Sequence, residues 1–454
     1  MDWRCLQWFV SSVKQRNKAT TIKRVLIITY YWPPSGGSGV QRWVKFAKYL
    51  RQYGWEPVIF TVENGEYPVL DDSLIKEVPE DIEVIRQPIF EPFTWYKRFT
   101  GKDADKRVQL GVMAAARKGN WKERLALWIR SNVFIPDARM FWIRPATTFL
   151  KEYLAEHPVD ALVTTGPPHS AHLIGLRLKE ALGLPWLADF RDPWTKIYYF
   201  DDLTLTAWAK KQHERLEKAV LHAADQVVVV GRGMQHDFQA DHDIRAAVVT
   251  NGFDRSDFKE MAPASRTDAF TLVHTGSLLS IYQLQGLWQA IHRQREKGGL
   301  KRLEIHFYGK VEGGVMEEIA RYNFADKVTL HGYVSHQEVT AIQQRAGILL
   351  LALEIKTPVL TGKFFEYLGS GRPVLAIGSS VSNFEVKGIV EETQCGAFLE
   401  TDDNSGIEQY LVDSYRQFES GSPLGNSRAD ITAYTREALT GKMAGLLDAL
   451  RKAP

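Results

Sequence analysis

Short apolar runs alternate with helical patterns along this chain, and the alternation occurs twice. An apolar run bounded by turn residues predicts a buried strand, whereas apolar residues at intervals of three and four predict a helix. Strands separated by helices predict a parallel, doubly wound sheet, whose ligands bind at the carboxyl ends of the strands. Because 454 residues exceed what one hydrophobic core usually holds, we expect an α/β fold with two such Rossmann-like domains.

The two halves are predicted to be built alike. The strands predicted in the first half are Val25–Ile28, Val58–Phe60, Asp160–Thr164, Trp186–Ala188 and Gln226–Val230. Those predicted in the second half are Phe270–Thr275, Leu303–Tyr308, Val328–Leu330, Ile348–Leu351 and Val374–Ile377. The expected division is an N-terminal extension (1–22), a first domain (23–245), a second domain (246–430) and a C-terminal helical segment (431–454).

The segment Thr361–Ile377 places an acidic residue in a helix that ends in Gly-Ser-Gly and leads into an apolar strand. Glu366 lies near the helix start that Thr361 and Gly362 indicate. A carboxylate there can hold a sugar hydroxyl, while the N–H groups and the positive dipole end of a helix favour a phosphate. The segment therefore fits the ribose and diphosphate of a nucleotide, although a plain surface strand–helix unit with a solvated glutamate has the same pattern.

Composition and cysteine content restrict the class of protein. The net charge of +3 does not indicate a nucleic-acid partner. Cys5 and Cys395 lie far apart and belong to no metal-binding or disulfide pattern, which fits a reducing cytoplasm. No apolar run approaches the roughly 18–20 residues of a membrane-spanning helix, so any membrane attachment is expected to be peripheral.

Basic residues concentrate in one segment of the first domain. Residues 97–130 contain ten Lys and Arg against three Asp and Glu. The aromatic and aliphatic residues interleaved with them are Trp95, Tyr96, Phe99, Trp121, Leu125, Trp128 and Ile129. This composition is typical of an interfacial segment on an anionic membrane, and we expect 95–130 to dock there. The alternative is that the aromatic residues pack into the domain and the cations form a solvated face.

Three motifs carry a resemblance to a known family. They are Tyr30–Gln41 (YYWPPSGGSGVQ), Asn251–Asp254 (NGFD) and Lys363–Val374 (KFFEYLGSGRPV). With two doubly wound domains facing across a cleft, the chain resembles the GT-B glycosyltransferases, and within them the retaining family 4, or glycosyltransferase group 1, type. The resemblance runs from about residue 23 to residue 450. It implies an N-terminal acceptor domain, a C-terminal nucleotide-sugar domain and a last helix that crosses back to the first domain.

The resemblance also implies roles for single residues. The nucleotide sugar is a substrate, no separate cofactor or metal is implied, and Glu366 is expected to hold the ribose hydroxyls. The residues expected around the diphosphate are Gly37, Gly39, Gly276, Ser277, Thr361, Gly362 and Lys363. Developing negative charge on a leaving diphosphate needs N–H groups, helix ends or cations, and glycine lets the backbone approach a phosphate. Ordinary strand–helix turns would also use glycine at these positions.

Two departures from the family pattern concern the donor site. Pro358 stands where the family often carries a first glutamate, and Glu354 could fill that place. The family's phosphate-binding Arg and Lys would fall near Ser277 and Gln283–Gln285, where the chain has no cation. We therefore expect Lys363 or an arginine of the first domain to take over their role.

The acceptor side is predicted from two segments that follow strands, Thr164–His172 and Ala188–Trp194. Arg191 could neutralise phosphate, and Asp192 could orient or deprotonate the acceptor hydroxyl. His169 completes the candidate catalytic set. The alternatives are an Arg191–Asp192 structural pair that caps a helix and a helix-start role for His169. A serine hydrolase is disfavoured because the chain has no Gly-x-Ser-x-Gly elbow.

The function expected from these observations is transfer of a sugar from a nucleotide donor to a hydroxyl of a glycan or lipid-linked acceptor. No metal site is expected, since Asp103 and Asp105, like Asp241 and Asp243, do not follow an apolar strand. Two alternatives stay open. A GT-B nucleotide-sugar epimerase would use the same donor cleft without an acceptor, and a degenerate GT-B subunit would bind nucleotide sugar without turnover.

Overall fold

The computed structural model describes residues 22–67, 69–91, 121–197, 200, 203–258, 268–355, 360–424 and 430–452. The predicted N-terminal extension lies outside these residues except for Ile22. Of the segment expected to dock on a membrane, only 121–130 is described. Pro358 and the Asp103–Asp105 pair also lie outside the described residues.

The first sheet has seven strands, all paired in parallel. They are β1 (Lys23–Ile28), β2 (Trp55–Val62), β3 (Glu83–Gln87), β4 (Ala161–Gly166), β5 (Trp186–Phe190), β6 (Gln226–Val229) and β7 (Ala247–Val248). Their order in the sheet is β3-β2-β1-β4-β5-β6-β7, which reverses direction between β1 and β4. Ligands of doubly wound sheets bind at such a switch point.

The helices of the first half connect these strands. They are α1 (Ser38–Leu50), α2 (Trp121–Asn132), α3 (Met140–Glu156), α4 (Ser170–Leu182), α5 (Ala207–Ala223) and α6 (Arg232–His242). The central strands are buried, and α1 presents Val40, Trp43, Val44, Ala47 and Leu50 to them at helical spacing. One sequence-based boundary is wrong: Gly39 lies inside α1 rather than in the preceding loop, because the helix already begins at Ser38.

The second sheet has six parallel strands in the order β10-β9-β8-β11-β12-β13. They are β8 (Phe270–Thr275), β9 (Leu303–Tyr308), β10 (Val328–Gly332), β11 (Ile348–Ala352), β12 (Val374–Gly378) and β13 (Gly396–Glu400). The helices are α7 (Gln285–Glu296), α8 (Gly313–Arg321), α9 (His336–Arg345), α10 (Gly362–Gly369), α11 (Phe384–Thr393) and α12 (Asn404–Glu419). Two parallel doubly wound sheets confirm the predicted fold class.

Every strand expected from an apolar run is present, whereas β3, β7 and β13 were not predicted. All three lie at the edge of a sheet and contain no fully buried residue. An edge strand covered on few sides does not need a continuous apolar run, so its sequence lacks the signal by which a central parallel strand is recognised.

The last helix, α13 (Arg436–Lys452), packs against α1 of the first half. Its buried residues Leu439, Met443 and Leu447 join the hydrophobic cluster that contains Trp43. At the same interface the indole N–H of Trp55 donates to Asp448 (3.0 Å). Within the predicted helical segment 431–454, Thr432–Tyr434 form a short 3-10 turn before α13 begins.

Candidate active site

Lys363 lies over the loop that follows β8. It is the second residue of α10, and a Cβ at Gly276 would lie 2.9 Å from its Nζ. Gly276 also has a φ of 102°, which side-chain-bearing residues rarely adopt. The structure thus brings together two of the predicted donor residues, Gly276 from the loop after β8 and Lys363 from α10. Ser277 follows in the same loop and is exposed.

The partner of Lys363 is a buried histidine that the sequence analysis did not single out. His274 Nδ1 lies 2.9 Å from the carbonyl oxygen of Leu350, to which it must donate. Its Nε2 is therefore an acceptor, 3.3 Å from Lys363 Nζ. Burial and, to a smaller extent, the charge of Lys363 lower the pKa of His274 to about 3. The imidazole is neutral and leaves the lysine charge unneutralised.

Burial lowers the pKa of Lys363 itself to about 8, although the carboxylate of Glu366 opposes this shift. An ammonium group whose charge is insufficiently balanced attracts an anion. The chain holds this cation beside the positive-φ turn at Gly276, which follows the end of β8. A diphosphate at this position would restore both the charge balance and the ordinary pKa of the lysine.

Glu366 is reached through a network of side chains. Gln343 Nε2 donates to Glu366 Oε2 (3.3 Å) and to Thr275 Oγ1 (3.1 Å). The backbone N–H of Thr275 donates in turn to the Tyr367 hydroxyl (2.9 Å). Gln343 Oε1 is buried without a hydrogen-bond partner in the described part of the chain. The network fixes the carboxylate of Glu366 at the end of β8, with one orphaned acceptor beside it.

The helix start before Glu366 is formed by Thr361 and Gly362, as expected. The Thr361 side chain does not cap α10, and its buried Oγ1 has no partner among the described residues. Glu366 is the fifth residue of the eight-residue helix, so it lies one turn beyond the N-terminus. The positive end of the helix dipole and the Glu366 carboxylate therefore act at neighbouring positions rather than at the same position.

Across the cleft, Arg191 covers the start of α1. A Cβ at Gly39 would overlap the Arg191 guanidinium, so only glycine allows this contact. Arg191 Nη2 donates to the carbonyl oxygen of Pro167, and its Nε is buried without a partner in the described residues. Burial lowers the pKa of Arg191, while Asp192 and Asp189 oppose the shift. Gly37 precedes the helix and is exposed.

Asp189 lies two residues before this arginine, and the sequence analysis did not single it out. The buried carboxylate forms an ion pair with Arg42 (2.8 Å) and accepts from the indole of Trp43 and the hydroxyl of Thr165. Burial favours its neutral form, but Arg42 and Trp43 hold the pKa of Asp189 below its usual range. The pair ties the end of β5 to α1, and Arg191 follows two residues later.

Asp192 is exposed at the cleft. Loss of solvation raises its pKa, and the neighbouring Arg191 opposes the rise. Neither residue caps a helix, because the next described helix begins only at Ala207. The geometry thus leaves the Asp192 carboxyl available to a ligand.

His169 occupies the N-cap position of α4, which agrees with the helix-start alternative, but its side chain makes no capping hydrogen bond. Asp137 makes such a bond instead, accepting from the backbone N–H of Ser170 (2.9 Å). The His169 ring is buried and stacks on Trp194, with centroids 4.4 Å apart. Burial, together with the charges of nearby histidines and Arg191, holds the pKa of His169 well below its usual value. His172 is equally buried and is bound to Thr164 (2.8 Å), which fits a structural role.

Direct contacts close the cleft near the donor site. Gln41 of α1 lies 3.1 Å from Nδ1 of His336, the first residue of α9. Lys45, one turn further along α1, is buried between Asp254 (3.0 Å) and Asp257. Burial disfavours protonation of His336, but its hydrogen bond to Asp257 and the charges of Glu366 and Asp257 outweigh burial and raise its pKa. This contact brings α1 beside the ribose-binding candidate.

A second cation lies beneath this region. Arg436 of α13 is buried, donates to the carbonyl oxygen of Gly252 (3.3 Å), and has an Nη1 without a hydrogen-bond partner in the described residues. Burial lowers its pKa, while the charges of Asp257 and Glu366 oppose that shift. A residue at the far end of the sequence thus contributes positive charge near Glu366, which no local motif indicated.

Neither a metal-binding cluster nor a membrane-spanning helix is present among the described residues. No three His, Cys, Asp or Glu side chains are grouped as a metal ion would require. No described helix is both long enough and apolar enough to cross a bilayer. Asp241, one of the acidic residues discounted as a metal ligand, instead forms an ion pair with Lys196 (2.5 Å).

Comparison with known families places the first half of the chain. Residues 36–252 match the family model described as Glycosyl transferase 4-like domain. This half is similar to a glycosyltransferase domain. The match begins in the glycine-rich turn before α1 and ends within the Asn-Gly-Phe-Asp segment, so the matched region contains Gly37, Gly39, Arg191 and Asp192. No curated protein matches the chain in sequence.

Solved structures of similar fold span almost the whole chain. A glycosyltransferase from Rickettsia africae is 14% identical, with a TM-score of 0.60, and covers 96% of this chain and 100% of its own. TarM from S. aureus, in complex with UDP among other ligands, is 11% identical with a TM-score of 0.58. The match covers 95% of this chain and 100% of TarM. A Listeria monocytogenes protein that carries the name of a UDP-N-acetylglucosamine 2-epimerase is 11% identical, with a TM-score of 0.52. The match covers 94% of this chain and 96% of that protein. The architecture is GT-B.

Proposed function

We propose that the protein is a metal-independent, retaining glycosyltransferase that moves a hexose from a nucleotide sugar to a hydroxyl of a glycan or lipid-linked acceptor. The observation that carries this proposal is the convergence of Lys363, Glu366 and Gly276 on one side of the cleft. Arg191 over Gly39 stands in the glycosyltransferase domain on the other side.

Each of these residues supplies a part of the chemistry. Glu366 accepts hydrogen bonds from the ribose hydroxyls, with Gln343 holding the carboxylate in place. The ammonium of Lys363 and the backbone N–H of Ser277 stabilise charge that develops on the leaving diphosphate. Arg191 replaces the phosphate-binding cations that the chain lacks after β8.

Asp192 acts on the acceptor. The residue lies at the surface, but loss of solvation at its carboxyl raises the pKa and makes it a stronger base than an ordinary aspartate. It accepts the proton of the attacking hydroxyl or orients that hydroxyl toward the anomeric carbon. His169 stays a candidate of lesser weight, because its ring is packed against Trp194 and its neutral form is strongly favoured.

A uridine nucleotide is the first donor class to test, because TarM was solved with UDP and has the same fold. The epimerase alternative keeps its place because a protein named for that activity also shares the fold. The presence of an N-terminal glycosyltransferase domain favours transfer over epimerisation.

The proposed location is the cytoplasm, with peripheral docking on an anionic membrane. In α2, Trp121, Leu125, Trp128 and Ile129 are spaced to share one face, and all are exposed. Arg124 lies exposed on the same helix. Apolar side chains that enter the headgroup boundary, with cations that meet lipid phosphates, suit reversible binding.

Co-sedimentation with liposomes tests the docking. The parent should bind vesicles that contain acidic lipid, more weakly at 1 M than at 0.1 M salt, because the Debye length shrinks from about 10 Å to about 3 Å. Replacement of Lys118, Lys122 and Arg124 by Glu should abolish binding. Equal binding of parent and triple variant, or of neutral and acidic vesicles, would refute it.

The activity is tested by incubation with a panel of nucleotide sugars, with and without added glycan acceptors. Mass spectrometry of the products detects transfer, and proton NMR detects epimerisation, because an epimer has the same mass as its parent sugar. Transfer to an acceptor supports the proposal. Epimerised donor without acceptor supports the first alternative, and donor binding without turnover supports the degenerate subunit. The reaction should be unchanged by EDTA, and the Glu366→Ala variant serves as the matched negative control.

A further inference from the structure

A small cavity lies in the first domain, between the start of α3 and the loop that contains His169. Its volume is about 140 Å³. The walls come from the turn after α2, the loop after β4 and the segment after β5. Among its lining residues are Ser131, Phe134, His169, Trp194, Phe200 and His213. None of the predicted donor residues lines it.

Two lining side chains carry buried polar atoms that lack partners. Ser131 is 4% exposed and His169 is 8% exposed. Ser131 Oγ and His169 Nδ1 form no hydrogen bond in the part of the chain that the structure describes. An unpaired buried polar group costs about 1–3 kcal/mol, so such groups are expected to have a function or an absent partner.

A third lining group is a hydrogen-bond donor. The indole N–H of Trp194 donates to Nδ1 of His213 (3.1 Å), which makes Nδ1 an acceptor and leaves the proton of the neutral ring on Nε2. Burial keeps the ring neutral by lowering the pKa of His213, against the opposing charge of Asp137. The cavity therefore combines aromatic walls with a hydroxyl and two imidazoles.

Size and chemistry both suit one sugar ring. A cavity of roughly 150 Å³ accommodates a benzene molecule, so the space here takes one face or edge of a sugar ring, whose other atoms extend from the open side of the pocket. Ligand sites typically combine aromatic walls with a few placed polar groups. A pyranose presents C–H faces to aromatic rings and hydroxyls at its edge, where Ser131 and His213 can bond them.

The position of the cavity connects it to the reacting centre. Trp194 follows Asp192 by two residues, and Pro167, whose carbonyl oxygen holds Arg191, is also part of the wall. We infer that this cavity is an acceptor subsite that binds one sugar ring of the glycan, an inference that rests on the proposed function. His169 and Trp194 are then sugar-binding rather than catalytic residues.

Saturation-transfer NMR of the full-length protein with methyl glucoside, methyl galactoside and methyl mannoside at millimolar concentration tests the subsite. UDP is measured in the same samples. Ala138 lines the cavity and is 4% exposed, so Ala138→Leu fills it. Ser131→Ala removes the unpaired hydroxyl with little change in volume and decides the test if the leucine variant does not fold.

At least one glycoside should give a signal with the parent, and that signal should fall at least threefold in either variant while UDP binding stays unchanged. Signals that are equal in the parent and the folded variants, or absent throughout, overturn the subsite. If the parent does not bind UDP, that result counts against the proposed donor. The glycoside signals still decide whether the cavity binds a sugar.

Discussion

The carboxylate of Glu385 accepts a hydrogen bond from the backbone N–H of Arg232 (2.6 Å), so a side chain of the second domain binds the N-terminus of α6 in the first. The other carboxylate oxygen accepts from Gly233 (3.1 Å). Beside this contact the rings of His236 and Phe384 lie parallel at 5.9 Å. A helix N-terminus favours negative charge, so this contact stabilises the closed cleft.

Glu385→Ala should open the cleft. Loss of a carboxylate at a helix N-terminus costs about 1 kcal/mol, or about a fivefold shift toward the open form. Small-angle scattering should give a larger radius of gyration, and the amides of Arg232 and Gly233 should exchange faster. Glu391→Gln is the matched control, since Glu391 lies on the same helix, is exposed and pairs only with Lys387 (4.0 Å). Identical scattering of parent and Glu385→Ala would contradict the prediction.

Donor affinity should fall as pH rises through 8. The pKa of Lys363 lies at about 8, and the diphosphate binds the protonated form. Affinity is therefore full below pH 7 and weakens by about tenfold between pH 7 and pH 9, as the protonated fraction falls. Calorimetric titration with UDP measures this profile. Lys363→Arg, whose guanidinium stays charged, should flatten it; a parent profile that is already flat would show that Lys363 does not meet the phosphates.

Glu366→Ala should weaken nucleotide-sugar binding without unfolding the protein. The lost charge-assisted hydrogen bond to ribose corresponds to about 1.5–3 kcal/mol. Calorimetry gives the affinity, and a deoxyribose donor separates the roles: it should bind the parent and the variant alike. Equal affinity of both proteins for the ribose donor would remove Glu366 from the site.

Asp189→Ala should destabilise the first domain by about 3–5 kcal/mol, because it leaves the buried Arg42 guanidinium without its counter-charge. Urea unfolding measures the loss. Asp237→Ala breaks the exposed pair with Lys196 and should cost at most about 1 kcal/mol. Similar losses in the two variants would mean that the Arg42–Asp189 pair contributes no more than a surface contact.

Asp192→Asn should lower turnover at least about tenfold, equivalent to about 1.4 kcal/mol of barrier, while donor affinity stays within about twofold. Arg191→Ala should lower turnover by a similar factor and also weaken donor binding, because the arginine faces the leaving group. Initial rates at saturating donor distinguish the two. Full activity in both variants would leave the pair a structural role alone.

The central strands and the donor helix could be predicted because each depends on neighbours in sequence. Val25–Ile28 must be apolar to be buried on both faces, and Thr361–Gly362 begin α10 through local turn chemistry. The partners of the candidate residues could not be predicted from the sequence. His274 approaches Lys363, and Arg436 lies near Glu366, only after the chain has folded. Asp189 is one undistinguished residue of the predicted segment Ala188–Trp194, and only its four buried hydrogen bonds show that it ties β5 to α1.

The packing of α13 on α1 affects the order in which the protein can be made. Residues 436–452 are synthesised after every strand of both sheets, yet Leu439, Met443 and Leu447 belong to the core around Trp43. Domains of a growing chain generally fold from the N-terminus onward. Here the ribosome has to translate the whole second domain before the first can bury its outer layer, so the two halves reach their final packing together although each has its own sheet.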